Sequence, residues 1–170
     1  QLHSAKSAPL QQTVNGGTQT RGNILSSSNE HLTELRLFFE NSVREYISEV
    51  KAIDDLHEFV VLPNNDFRIV GAWSVFLSDE GYHTNHVHPE GRLSAVFYIE
   101  IPSELAHEKH EGYLSFGTPN FKLKTSLTHE YTVRPEVGKL VIFPSYFWHG
   151  TIPFKSDEKR LTIAFDISSS

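Results

Sequence analysis

The chain has 170 residues, 38% hydrophobic and 12% aromatic, which is the size of one domain with a single sizeable core. Its 15 Lys and Arg against 21 Asp and Glu give a formal net charge of -6, which argues against nucleic acid or an anionic membrane surface as the main partner. Because the chain has no Cys, it cannot form disulfides, thiolate zinc sites, iron–sulfur clusters or thiol nucleophiles, and any metal must be held by His, Asp or Glu.

The chain is expected to form a single domain over residues 1–170. Residues 1–28 are polar and rich in Gly, and they predict an irregular or edge-strand lead-in. Apolar residues at three- and four-residue steps then predict one helix over 27–50, with a capping box formed by Ser27 and Glu30. Since no apolar run approaches the length of a membrane span and residues 1–10 do not resemble a signal peptide, we expect a soluble, cytoplasmic protein.

From residue 58 to residue 167 the pattern is that of short strands rich in β-branched and aromatic residues. Strands without intervening helices are typical of a sandwich, jelly roll or barrel. The fold class predicted is therefore mainly β, with the helix packed on the outside. The strands are predicted at Phe67–Leu77, Leu93–Ile101, Gly112–Phe116, Phe121–Val133, Lys139–Phe143, His149–Phe154 and Arg160–Ile167.

Three histidines have the spacing of a metal site in a β-barrel. His86 and His88 are two residues apart, so in an extended segment their side chains lie on the same face. His149 begins a distant predicted strand and offers a third ligand. Two imidazoles from one strand and one from another can converge on a single ion while leaving open positions.

Arg160 follows His149 by eleven residues and begins the last predicted strand. Alternation places Arg160 and Thr162 on one face of that strand, where a guanidinium beside a hydroxyl suits a carboxylate. The alternative is an exposed strand residue that forms an ion pair with Asp157 or Glu158.

The order His86-x-His88, His149, Arg160-x-Thr162 resembles the 2-oxoglutarate- and Fe(II)-dependent oxygenases, whose fold is the double-stranded β-helix, a cupin-like jelly roll. A closer resemblance is to a family of 2-oxoglutarate oxygenases that also occurs attached to tetratricopeptide repeats. It covers nearly the whole chain, from about Gln11 to Ile167. The segments that carry it are Gln12–Thr20, Trp73, His86–Pro89, Leu93–Tyr98 and Pro144–His149.

This resemblance implies an Fe(II) ion on the three histidines and 2-oxoglutarate as cosubstrate, with succinate and CO₂ as products and O₂ as a further partner. It also implies that Arg160 and Thr162 hold the far carboxylate of 2-oxoglutarate. In these oxygenases the strand that corresponds to Leu93–Ile101 supplies a Tyr and a small hydroxyl to that carboxylate, which points to Tyr98 and Ser94. The substrate cannot be read from the sequence; a protein or peptide side chain is the first hypothesis.

One position departs from the wider superfamily, which has Asp or Glu where this chain has His88. We expect His88 to be a ligand, with Glu90 as the alternative carboxylate. His83 has the wrong strand parity for a ligand and is interpreted as an entrance residue. His107 and His110 lack the spacing of a zinc-binding helix and predict a solvated turn.

Two other function classes fit the three histidines. One is a cupin-type dioxygenase or zinc hydrolase, in which three neutral imidazoles are common. The other is a jelly-roll binding protein without catalytic activity. Binding of 2-oxoglutarate separates the leading hypothesis from both.

Overall fold

The computed structural model describes residues 13–53, 66–105, 107–121, 124 and 128–169. The first part of the predicted lead-in and the start of the predicted jelly roll, at 58–65, lie outside these residues. The helix α1 spans Glu30–Ile53, and short 3-10 turns lie at Ile24–Ser26 and His107–Lys109. The strands are β1 Val14–Gln19, β2 Phe67–His83, β3 Leu93–Glu100, β4 Leu114–Phe116, β5 Tyr131–Val133, β6 Leu140–Pro144, β7 His149–Thr151 and β8 Arg160–Ser169.

These strands form two antiparallel sheets. The larger sheet has the order β1-β2-β8-β3-β6 and the smaller has the order β5-β4-β7. The jelly-roll class predicted from the sequence is confirmed. In the part of the chain that is described, no helix combines the length and apolar character needed to cross a membrane.

The two faces of β8, the central strand of the larger sheet, have different roles. Its odd-numbered residues Ile163 and Phe165 pack against α1, where Phe39 is fully buried and stacks on Phe165 at 4.5 Å between ring centroids. Its even-numbered residues Arg160 and Thr162 line a cavity that the smaller sheet also borders. The helix thus covers the outer face, and the inner face is left for polar chemistry.

The helix begins later than predicted. Asn29 caps it, because its side-chain Oδ1 accepts the Leu32 N–H at 3.2 Å, while the Ser27 hydroxyl accepts only the Asn29 N–H. The predicted capping box of Ser27 and Glu30 is therefore wrong. The helix also continues to Ile53, three residues past the predicted Val50.

Two strand boundaries differ from prediction for reasons of pairing. Strand β2 continues to His83 because the lead-in strand β1 supplies partners for its second half, with Val14 opposite His83. Among the described residues of the strand predicted at Phe121–Val133, strand structure is found at Tyr131–Val133, which pairs with the three residues of β4.

Candidate metal and cosubstrate site

His86 and His149 are held against each other by their own backbones. The His86 N–H donates to the His149 carbonyl at 2.9 Å and the His149 N–H donates to the His86 carbonyl at 3.0 Å. In such an antiparallel pair both side chains emerge on the same side of the backbone. The two rings accordingly lie 4.3 Å apart between centroids.

Close packing of the chain fixes this pair further. Gly150 follows His149, and a Cβ at this position would lie 2.8 Å from the His83 carbonyl oxygen and would clash with the Asn85 side chain. Only glycine lets the segment bearing His149 come this close to the segment bearing His86.

His88 completes the cluster from the same segment as His86. Its N–H donates to the Ser145 carbonyl at 2.9 Å, and its ring lies 4.9 Å from that of His86 and 5.0 Å from that of His149. One ligand atom from each of the three histidines lies within 4.8 Å of the others. Three nitrogens bound to one ion at about 2.1 Å lie about 3.0–3.6 Å apart, so ring rotations that move the ligand atoms by about 1 Å would bring all three onto one metal.

Each ring has an acceptor for its Nδ1–H. His86 Nδ1 lies 2.8 Å from the Thr84 carbonyl oxygen and His149 Nδ1 lies 2.9 Å from the Phe147 carbonyl oxygen. His88 Nδ1 lies 2.6 Å from Asp166 Oδ1. When Nδ1 carries the proton, Nε2 keeps its lone pair, which is the arrangement of metal-bound histidines.

The electrostatics of the cluster favour neutral imidazoles. Burial lowers the pKa of His86 to about 4 and the pKa of His149 to about 3. At neutral pH both rings are therefore unprotonated and can bind a cation without first releasing a proton.

Arg160 lies in the same cavity as the histidines. It is only 2% exposed, and among the described residues it forms no ion pair. Its Nε and the hydroxyl of Tyr98 are both buried without a hydrogen-bond partner, and its guanidinium carbon lies 5.2 Å from the Tyr98 ring centroid. Thr162 is buried opposite Tyr98 in the sheet. A buried cation without an anion is costly, so this arrangement calls for an anionic ligand.

A single cavity connects these groups. The three histidines, Arg160 and Thr162 all line this cavity, which lies between the two sheets. On the other side of His86 and His88 an open groove is lined by Gln19, Trp73, Glu90 and Asp166, among others. The histidine cluster thus borders both an inner cavity with a buried cation and an outer groove open to solvent.

Comparison with known proteins identifies the family of the chain. Residues 71–166, more than half of the chain, match the family described as "Putative 2OG-Fe(II) oxygenase". The chain belongs to this family. The family is one of oxygenases that use Fe(II) and 2-oxoglutarate, which is the enzyme class and cofactor set predicted from the sequence. A search of curated protein sequences found no match.

Solved structures of oxygenases share the fold at low sequence identity. A viral collagen prolyl hydroxylase from Paramecium Bursaria Chlorella virus-1, in complex with 2-oxoglutarate, is 15% identical with a TM-score of 0.59, over 95% of this chain and 82% of that one. HygX from Streptomyces hygroscopicus, with nickel and 2-oxoglutarate bound, is 12% identical with a TM-score of 0.56, over 92% and 71%.

The chain spans 45% of an oxidoreductase of the 2OG-Fe(II) oxygenase family from Burkholderia pseudomallei, which is 10% identical with a TM-score of 0.48 over 62% of this chain. The reaction, substrate and partners of this chain are therefore proposals.

Several predicted residues of this oxygenase have contacts that the sequence did not indicate. The Ser94 hydroxyl, predicted to contact 2-oxoglutarate, lies 2.7 Å from Asp166 Oδ1 and 2.9 Å from Ser145 Oγ. Glu90 is exposed and lies in the outer groove rather than in the histidine cluster. Arg160 is not the exposed ion-paired residue of the alternative interpretation.

Three other histidines were considered from the sequence. His83 ends strand β2 rather than lying in a loop; its Nδ1 is 3.1 Å from Thr13 Oγ1, its ring stacks on that of His86 at 5.8 Å between centroids, and it lines both the inner cavity and the outer groove. His107 begins a 3-10 turn, and His110 directly after it is exposed.

Asp166 was not predicted from the sequence as a residue of the site. This residue continues the face of β8 that carries Arg160 and Thr162, so strict alternation along the strand was the signal that could have found it. The carbonyl groups of Thr84 and Phe147, which orient the other two rings, leave no signal in side-chain identity.

Proposed function

We propose that the chain is a hydroxylase that couples insertion of oxygen into a substrate C–H bond to the conversion of 2-oxoglutarate to succinate and CO₂. One atom of O₂ enters the substrate as hydroxyl and the other enters succinate. The observation that supports this most directly is that Arg160, buried and without an ion pair among the described residues, lines the same cavity as the three clustered histidines. That cavity offers a cation for one end of the cosubstrate and metal ligands for the other.

His86, His88 and His149 would hold the Fe(II) through their Nε2 atoms. The hydrogen bonds from their Nδ1 atoms fix the ring orientations before the metal binds, which reduces the entropy lost on binding. Bound iron, together with 2-oxoglutarate, supplies the activation of O₂.

Arg160, Thr162 and Tyr98 would hold the far carboxylate of 2-oxoglutarate. Two carboxylate oxygens can accept from the guanidinium and from both hydroxyls, which would give the buried Arg160 Nε and Tyr98 hydroxyl the partners they lack. Ser94 remains a predicted contact, although its hydroxyl already bonds to Asp166.

The substrate is proposed to be a protein or peptide side chain. The groove outside His86 and His88 is open to solvent and lined by both aromatic and polar side chains, such as Trp73 and Gln19. An open groove of this kind admits a side chain presented by a larger molecule while the inner cavity stays reserved for the cosubstrate. That the chain forms one domain and that it is cytoplasmic remain predictions.

Turnover tests the proposal. Protein loaded with Fe(II) under nitrogen and then exposed to air with 2-oxoglutarate should release succinate and CO₂, and a peptide library in the same reaction should yield products that gain one oxygen atom. Arg160→Ala should abolish succinate release, while Arg68→Ala, which removes an exposed arginine at the start of β2, should not. Absence of succinate with the wild-type protein, with iron bound, would refute the proposal.

A cupin-type dioxygenase is the second candidate, because three imidazoles form the cluster. Such an enzyme needs no 2-oxoglutarate. Oxygen uptake that is independent of 2-oxoglutarate, and equal in the wild type and Arg160→Ala, would favour it.

A further inference from the structure

The three clustered histidines differ in the acceptor behind each ring. His86 and His149 donate to neutral backbone carbonyls, whereas His88 donates to the carboxylate of Asp166 at 2.6 Å. Among the described residues, His88 is thus the member of the cluster with an anion on its far nitrogen. A carboxylate acceptor makes the ring a stronger electron donor than a carbonyl acceptor does.

Asp166 is held in this position by several contacts. It lies opposite Ser94 in the β3–β8 pairing, and the Ser94 hydroxyl approaches the same Oδ1 atom at 2.7 Å. The Ser145 hydroxyl lies 2.9 Å from the Ser94 hydroxyl. A Cβ at position 91 would lie only 2.7 Å from Ser145 Oγ, so glycine at this position leaves room for that hydroxyl. The side chains of His88 and Asp166 are each 15% exposed, so their interaction is largely shielded from water.

The positive charge of a bound Fe(II) suggests a role for the pair of His88 and Asp166. In the usual triad of two histidines and one carboxylate, the carboxylate offsets part of the charge of Fe(II). Three imidazoles alone would not, but the Asp166 carboxylate, 2.6 Å behind the His88 ring, places an anionic group next to the cluster. We propose that Asp166 is a positioning residue that supplies this charge to the iron through His88. The inference rests on the proposed function, since it takes His88 as a metal ligand.

The test compares two variants, each of which replaces one carboxylate by the amide of the same shape. Asp166→Asn keeps the shape of the side chain and an acceptor oxygen for His88 but removes the charge. Glu90→Gln removes the same charge from the outer groove, where the side chain is exposed. The measurements are the dissociation constant for Mn(II), obtained by competition with a chelator, and the midpoint potential of the bound Fe(III)/Fe(II) couple.

We expect Asp166→Asn to weaken Mn(II) binding by about 10- to 100-fold, the usual effect of losing such a partner. Its midpoint potential should move to a more positive value, because the carboxylate stabilises Fe(III) more than Fe(II). Glu90→Gln should change the affinity by less than about twofold and leave the potential unchanged, since water and salt screen an exposed charge. A merely structural role for Asp166 predicts no change in potential.

A double variant makes the result independent of folding effects at position 166. The variant His88→Asp/Asp166→Asn has a carboxylate at position 88, where it binds the metal directly, and a neutral amide at position 166. Affinity should return to within about threefold of the wild type, and the potential should return with it.

The inference is overturned if the midpoint potential of Asp166→Asn matches that of the wild type or of Glu90→Gln, whatever its affinity, or if the double variant recovers neither affinity nor potential. None of these readouts needs 2-oxoglutarate. A wild type that binds metal with the expected Asp166 effect but does not bind 2-oxoglutarate would therefore refute the proposed function and leave this inference standing.

Discussion

Replacement of Arg160 by Met should stabilise the protein in the absence of ligands. The guanidinium is buried without an ion pair among the described residues, and its Nε lacks any acceptor, which costs about 1–3 kcal/mol. Its contact with the Tyr98 ring recovers about 0.5–2 kcal/mol of this cost. Met fills similar space without the charge, so the expected gain is about 1 kcal/mol, or about 2–4 °C in Tm for a chain of this length.

The same substitution should remove most of the stabilisation by 2-oxoglutarate. At one hundred times its Kd, the ligand stabilises the metal-loaded wild type by about 2.7 kcal/mol. Loss of a charge-assisted contact worth about 2–5 kcal/mol weakens binding at least 30-fold, which leaves under about 1 kcal/mol of stabilisation at the same ligand concentration.

The assay is urea unfolding of the wild type and Arg160→Met, each with and without Mn(II) and 2-oxoglutarate under nitrogen. An arginine that is structurally paired would give the opposite sign, with a loss of about 3–5 kcal/mol in the ligand-free protein. That loss, or undiminished stabilisation of the variant by 2-oxoglutarate, would refute the reasoning.

Three further predictions follow from the same cavity. His86→Ala or His149→Ala should abolish metal binding, because backbone pairing places each ring where no loop residue can replace it; stoichiometric iron after desalting of either variant would contradict this. Tyr98→Phe should stabilise the metal-free protein by about 1–2 kcal/mol, by removing a buried hydroxyl without a partner, and should weaken 2-oxoglutarate binding; a variant with unchanged calorimetric affinity would make Tyr98 a core residue only. Because the pKa is lowered to about 4 in His86 and about 3 in His149, the unfolded state binds more protons than the folded state below pH 6.5. The free energy of unfolding of the metal-free protein should therefore fall by about 3 kcal/mol between pH 7.5 and pH 5.5, and urea titrations with no such loss would show that these rings are protonated in the folded state.

Periodicity predicted much of the fold and part of the site. The two-residue spacing of His86 and His88 and the alternation of Arg160 and Thr162 both follow from the geometry of extended chains, and the structure brings all four side chains to one cavity. The apolar stripe of α1 likewise predicted which face packs on the sheet, as the burial of Phe39 confirms.

What the sequence did not predict depends on pairing between distant segments. Asp166 lies 78 residues from His88, and their contact follows from the registers of β3 and β8, which side-chain patterns do not specify. The Ser94 hydroxyl shares a strand face with Tyr98, yet it bonds to Asp166 because the cross-strand register places that carboxylate opposite it. The cap of α1 at Asn29 was missed because Ser27 and Asn29 are both good capping residues, and only the path of the chain selects between them.

The central claim is that three histidines and one buried arginine form a single site for Fe(II) and 2-oxoglutarate. Calorimetric titration of 2-oxoglutarate into the protein under nitrogen, with and without Mn(II), tests it most directly, because a ligand that contacts both the metal and Arg160 must bind more tightly when the metal is present. The account predicts metal-dependent binding in the wild type and a loss of about 30-fold or more in Arg160→Ala, with Mn(II) still bound. No binding to the Mn(II)-loaded wild type, or equal affinity in Arg160→Ala, would contradict it.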